Sequence, residues 1–403
     1  MSALVLAGAT LVLPDRLQDP GTVVVEDGRI VEVRAGVPHG TFASFQGHYI
    51  VPGFIDVHVH GLAGTDTLGG TGAVRALAAA LPRSGVTAFA PTAVACTPHA
   101  LRVLLDEIRE VRATPDPASA RVLPAHLESG FINPAYCGAQ PPHCLRQPRE
   151  ALSRLGEVDA PAVTDAFGGE ALLREIARGA PDVGIVTLAP ELDGGLDLVA
   201  WLVARGIRVS LGHSGATFEQ AMAAVGAGAR QATHLFNRMA PLGHREPGLA
   251  GAVLHGEELA AEIIADGVHV HPALVRAVVA AKGPSRVLAI TDATAAAGLP
   301  PGTRAPLGSQ TIVAAESAAH LVDGTLAGST ATMDRVLRTL VGPSGLSIVD
   351  AALLCATTPA RELGLVGHGV LAAGAVADLV VLDGALAVVQ TYVGGRLAWS
   401  RGR

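Results

Sequence analysis

Seven side chains able to ligate a metal or move a proton sit at the ends of apolar runs: His58 and His60 in VPGFIDVHVHG, Glu128 in AHLES, His213 in SLGHS, His234 in ATHLF, His269 in DGVH and Asp292 in AITDA. Each is weak by itself. A lone strand histidine is usually a hydrogen-bonded core or surface residue, Glu128 alone reads as a solvated strand end, and Asp292 alone reads as a cap for the next turn. Together they form a pattern, because imidazole and carboxylate at this density suit Zn²⁺ or Fe²⁺ with a position left open for water.

Such residues can meet only if the runs that carry them end on one face. Candidate strands are GFIDVHVH, GVTAFAPTA, RVLPAHLE, VGIVTLAPE, IRVSLGHS, RQATHLF, AAEIIADGVH and RVLAITDA. Helical patterns such as PHALRVLLDEIREVRA and TFEQAMAAVGAG lie between most of them. Eight strands with helix-length connections predict an α/β fold, a closed (β/α)8 TIM-like barrel spanning residues 51–359. All strand C-termini of such a barrel open onto one mouth, and residues two apart on a strand share a face, so both His58 and His60 point there. Residues 1–50 and 360–403 are different: alternating Val, Leu and Ile runs broken by Asp-Gly and Gly-Gly read as hairpins. They predict a small β-sandwich domain built from both chain ends.

Composition removes several function classes. Among 403 residues, 49% are apolar and 16% charged, as expected of a folded chain with one large core. The net charge of −7 and the lack of a basic run argue against binding nucleic acid or a membrane surface. The N-terminal MSALVLAGATLVLPD lacks a positive leader and reads as a strand, and Pro91 and Pro98 interrupt the longest uncharged stretch. The four cysteines, Cys96, Cys137, Cys144 and Cys355, form no C-x-x-C pair, which fits reduced thiols in the cytoplasm. Lys282 is the only lysine, so Schiff-base chemistry and a carboxylated lysine bridging two metals are disfavoured.

The segments PGFIDVHVHG, HLESGFINPAYCGAQ, LGHSGAT, THLFNRMAPLGHREPG, IADGVHV, ITDATAAAG, DGTLAGSTATMDRVLR and GAVADLVVLD run in order over nearly the whole chain. In them the sequence resembles the amidohydrolase superfamily, and within it the N-acetylglucosamine-6-phosphate deacetylase family. The resemblance implies deacetylation of a phosphorylated amino sugar, N-acetylglucosamine 6-phosphate or a relative such as its galactosamine epimer. It implies one or two divalent ions, with Glu128, His213 and His234 as main ligands and His58 and His60 at a second site whose occupancy stays open. Asp292 matches the catalytic aspartate. Asn237, Arg245 and His269 match positions around the sugar phosphate, the arginine reaching in from the other subunit of a homodimer. Three departures stand out. Glu128-Ser129-Gly130 replaces Glu-Gly-Pro; Gly138-Ala139-Gln140 replaces Gly-Ala-His, which leaves metal contact, Gln140 or His143 to polarise the substrate carbonyl; and Arg238 replaces a small residue beside the phosphate.

Overall fold

Eight parallel strands in sequence order form the centre of the molecule: β1 (Phe54–Val59), β2 (Val86–Ala93), β3 (Ala125–Glu128), β4 (Val183–Leu188), β5 (Arg208–Leu211), β6 (Gln231–Ala232), β7 (Ala260–Ile264) and β8 (Val287–Ile290). The computed structural model describes residues 3–40, 42–156 and 167–402. Pairing runs without a crossover from β1 to β8, and the ring closes just beyond the last strand. There Val59 bridges Ala293, the Asp292 N–H donates to the His58 carbonyl (2.9 Å), and the His60 N–H donates to the Ala293 carbonyl (2.7 Å). The seam that closes the barrel therefore brings Asp292 against His58 and His60. On the other edge of β1, the pairing with β2 shifts register between Asp56 and Val59, an irregularity of the kind that re-aims side chains.

The connecting helices form for local reasons. Pro148–Ser153 and Pro98–Ala113 both begin with the one residue whose missing N–H costs a first turn nothing. In the longer helix the Thr97 hydroxyl caps the Ala100 N–H, while Leu101, Leu104, Leu105, Ile108 and Val111 make the buried stripe. Phe218–Gly226 starts with a reciprocal capping box between Thr217 and Gln220. These stripes and the outward strand residues form one large apolar core. The inward face is unusually polar: His126, Thr187, Ser210, Gln231, Thr233 and Glu262 are all fully buried there.

Both chain ends meet in one eight-stranded sheet, in which Leu379–Leu382 pairs antiparallel with Tyr49–Pro52 and so ties the C-terminal hairpins to the N-terminal ones. Its own core includes Leu6, Leu11, Val23, Ile30, Ile50, Leu379 and Tyr392. The sequence reading did not anticipate a third sheet. Four short antiparallel strands between Arg304 and Ser329 follow β8 and lean over the barrel mouth. Among the described residues no helix is long and apolar enough to cross a membrane.

Candidate metal centre and cleft

Glu128 is the last residue of β3, while His213, His234 and Asp292 each lie two residues past the end of β5, β6 and β8. Those three adopt left-handed backbones, with φ of 48°, 31° and 49°. Such a conformation is strained for a residue with a Cβ, and here it turns each side chain from the strand line into the mouth. Glycine makes room for the last of them: a Cβ on Gly328 (φ 64°) would lie 2.8 Å from the Asp292 carbonyl.

The side chains converge in two overlapping groups. His213 Nε2 and His234 Nε2 are 3.0 Å apart, and each is 2.8 Å from Glu128 Oε1. His58 Nε2 and His60 Nε2 are 3.2 Å apart, at 3.3 and 3.2 Å from Asp292 Oδ1, and His60 is 3.5 Å from Glu128 Oε2. The far ring atoms reveal the tautomers. His213 Nδ1 faces the Tyr136 carbonyl (2.8 Å), which can only accept, so the proton sits on Nδ1 and a neutral ring turns a bare lone pair inward. His58 Nδ1 likewise donates to Glu262 (3.0 Å), which turns its Nε2 inward. Two pairs of imidazole nitrogens at contact distance beside carboxylate oxygens repel one another unless a cation stands among them. The donor set, imidazole plus carboxylate, is that of Zn²⁺ or Fe²⁺, so the residues fit a divalent ion.

The local charges agree. Burial alone would raise the Asp292 carboxyl, but the rings of His58 and His60 hold it down to about 2. Burial likewise opposes charge on His58, yet Asp292, Glu262 and Glu128 together push it up to about 10: this spot favours positive charge. Glu128, despite burial, lies well below the ordinary carboxylate range because His213 and His234 face it.

One of the open alternatives separates here. Gln140 is buried beside the metal group, its amide N–H donating to Glu128 Oε2 and its carbonyl accepting from the Ala95 N–H (2.7 Å). Both ends of its amide are engaged, so it braces Glu128. His143 lies exposed on the short turn Pro142–Cys144 and does not line the cleft, so the structure does not bring it to a carbonyl bound there. Ser129 anchors the altered loop by donating to the Thr187 carbonyl (2.6 Å), and Gly130 is required where a Cβ would lie 2.5 Å from the Cys144 carbonyl.

A cleft of about 480 Å³ opens above the metal group, large enough for a small ligand. His60, Glu128, Gln140, His213, His234, Asn237, Arg238, His269 and Asp292 line it. Burial would lower the His269 pKa, but its Nδ1 bond to Asp266 (2.7 Å) and that carboxylate's charge raise it, which favours the charged ring in the cleft that the exposed Arg238 also lines. Arg245 is exposed and absent from this chain's own cleft. Sequence reasoning overlooked Glu262, Gln231 and Asp266; the available signal was a carboxylate placed within an apolar strand, as in AAEII.

Comparison with known proteins identifies the family. A family model described as "Amidohydrolase family" matches residues 49–398. The N-acetylglucosamine-6-phosphate deacetylase of Danio rerio is 38% identical over 87% of this chain and 85% of that protein. The N-acetylgalactosamine-6-phosphate deacetylase of Escherichia coli O157:H7 is 35% identical over 87% of each. Among solved structures, a mutant N-acetyl-D-glucosamine-6-phosphate deacetylase from Mycobacterium smegmatis, in complex with N-acetyl-D-glucosamine-6-phosphate, superposes with a TM-score of 0.87 at 35% identity, covering 99% of this chain and 100% of that one.

Proposed function

The chain belongs to the amidohydrolase family, and from that membership and the lining of its cleft we propose that it hydrolyses N-acetylglucosamine 6-phosphate to glucosamine 6-phosphate and acetate. The observation that carries this reading is the convergence of Glu128, His213, His234, His58, His60 and Asp292 beneath a cleft that also presents cations.

Glu128, His213 and His234 hold the principal ion, zinc or iron, and His58 with His60 stand ready for another. A bound ion supplies Lewis acidity, lowering the pKa of adjacent water from ~15.7 to about 7 and polarising an amide carbonyl. Asp292, anionic at neutral pH, accepts the proton of the attacking water and returns it to the departing amine, without which the C–N bond does not break. Gln140 keeps Glu128 oriented. Asn237, Arg238 and His269 bind the sugar phosphate, where the guanidinium and a ring that favours its charged form complement a dianion. Arg245, whose guanidinium is exposed away from this chain's cleft, completes the phosphate site of a neighbouring copy in a cytoplasmic homodimer.

A second reading, the galactosamine epimer as substrate, has its own support in the similarity to the Escherichia coli enzyme. Acetate release from the two N-acetylhexosamine 6-phosphates and their unphosphorylated counterparts tests both. Faster turnover of the glucosamine compound is expected. A preference for the galactosamine epimer would move the assignment to it, and no release from either would refute the reading.

A further inference from the structure

One buried carboxylate has no place in the chemistry above. Glu262, on β7, is fully buried below the metal group, and every polar neighbour presents it with a donor. Its Oε1 accepts from Gln231 Nε2 (2.6 Å), and its Oε2 accepts from His58 Nδ1 (3.0 Å) and from the His234 backbone N–H (3.3 Å). The orientations are forced one after another from the barrel base upward. Arg208 has donors only, so the Gln231 carbonyl oxygen must face its Nε (2.7 Å). That turns the Gln231 NH₂ towards Glu262, which must then accept. Glu362 anchors the start of the relay, its carbonyl taking Arg208 Nη1 (2.9 Å) and its carboxylate taking Nη2 (2.5 Å). At the top, the bond to Glu262 keeps a proton on His58 Nδ1, so Nε2, which faces His60 and Asp292, is the nitrogen turned towards an ion.

The nearby His126 is not part of a metal site, although it lies close to His58 and Glu262. Its Nδ1 donates to the Val57 carbonyl (3.0 Å) and its Nε2 accepts from the Thr187 hydroxyl (2.8 Å), so neither nitrogen is free to ligate.

We propose that Glu262 is the positioning residue of a second ion site. By fixing the tautomer of His58 it enables His58, His60 and Asp292 to hold a divalent ion beside the one held by Glu128, His213 and His234. This rests on the metal-dependent reading above and adds to it a residue that touches neither ion nor substrate. Outer partners of metal-bound histidines typically contribute about 10–100-fold to affinity.

The test is a Zn²⁺ titration of the metal-stripped full-length chain, with bound ions counted by mass spectrometry. The wild type is expected to take up two ions per chain. Glu262→Gln, whose single amide oxygen cannot serve all three donors, should keep the first ion and bind the second about 10–100-fold more weakly. Should that variant fail to fold, Arg208→Met frees Gln231 to turn over from a distance and is expected to weaken the second ion several-fold. A wild type that binds one ion, or two ions bound equally well by either folded variant, would overturn the proposal. Acetate release by the wild type separates the two ideas: turnover with one ion removes the second site and leaves the function, whereas two ions without turnover do the reverse.

Discussion

Two layers of buried imidazole and carboxylate lie one below the other in the barrel, alike in composition and opposite in state. In the lower layer every polar atom has a partner: Ser210, Thr233, Thr187, His126 and the Val57 carbonyl form one continuous chain of hydrogen bonds. Burial holds the His126 pKa down to about 4, so that ring is neutral, as its bonding requires. In the upper layer, imidazole nitrogens face each other across 3.0 and 3.2 Å, and the Nδ1 atoms of His60 and His234 are buried without a partner. Satisfied polar groups give rigidity; crowded lone pairs give a place for a cation. Residue type alone does not make a site. What matters is which bonds the fold leaves unmade.

Substitutions in the two layers should therefore separate activity from stability. The largest effect belongs to Asp292→Asn, which should retain the principal ion on Glu128, His213 and His234 yet reduce turnover by about 10³–10⁴-fold in an acetate-release assay. Metal loss without such a fall would make Asp292 a ligand only. In the upper layer, His213→Asn should empty the principal ion site by elemental analysis while leaving the melting temperature of the apo chain unchanged or higher, since one crowded ring is gone. In the lower layer, His126→Leu should do the opposite. It strands Thr187 and the Val57 carbonyl, costing about 2–4 kcal/mol by denaturant titration, with metal per folded chain retained. Equal effects of those two changes on metal content would erase the contrast between the layers.

The cleft rim sharpens the comparison with smaller effects. Arg245→Ala should raise KM for the phosphorylated sugar about 10-fold and leave the unphosphorylated one nearly unaffected. Mixing that variant with one defective in Asp292 should restore some activity if the arginine serves a neighbouring copy. His269 supplies a pH dependence. Its pKa is raised, so the imidazolium is fully present below the ordinary histidine value and is lost only as pH climbs through the higher, folded-state value. KM for the sugar phosphate should accordingly rise on the alkaline side. Asp266→Asn removes the partner that raises the pKa, and should shift that rise to lower pH, a change of about threefold near neutrality.

Much of this was legible in the chain. Strand ends bearing His58, His60, Glu128, His213, His234 and Asp292 could be read from apolar runs, because a parallel barrel turns strand order into a shared mouth. The helix signals also held, since Thr97 with Pro98 and Thr217 with Gln220 act within a few residues of themselves. Features made by distant partners were not legible. The left-handed turns at His213, His234 and Asp292 carry no glycine signal, since each falls on a residue with a side chain. Gln140 reads as available for a substrate, but Ala95 and Glu128, distant in sequence, take the two ends of its amide. The sheet between Arg304 and Ser329 consists of four- and five-residue strands, too short for alternation to distinguish them from loop. Glu262 read as one charge in an apolar strand, and only the register of β6 and β7 places Gln231 beside it.

The most direct measurement is acetate release from N-acetylglucosamine 6-phosphate by the chain stripped with a chelator and then reloaded with Zn²⁺ or Fe²⁺. Turnover should vanish on stripping and return in proportion to metal taken up. Undiminished release by the stripped chain, or a reloaded chain that holds its ions and leaves the amide intact, would contradict the account.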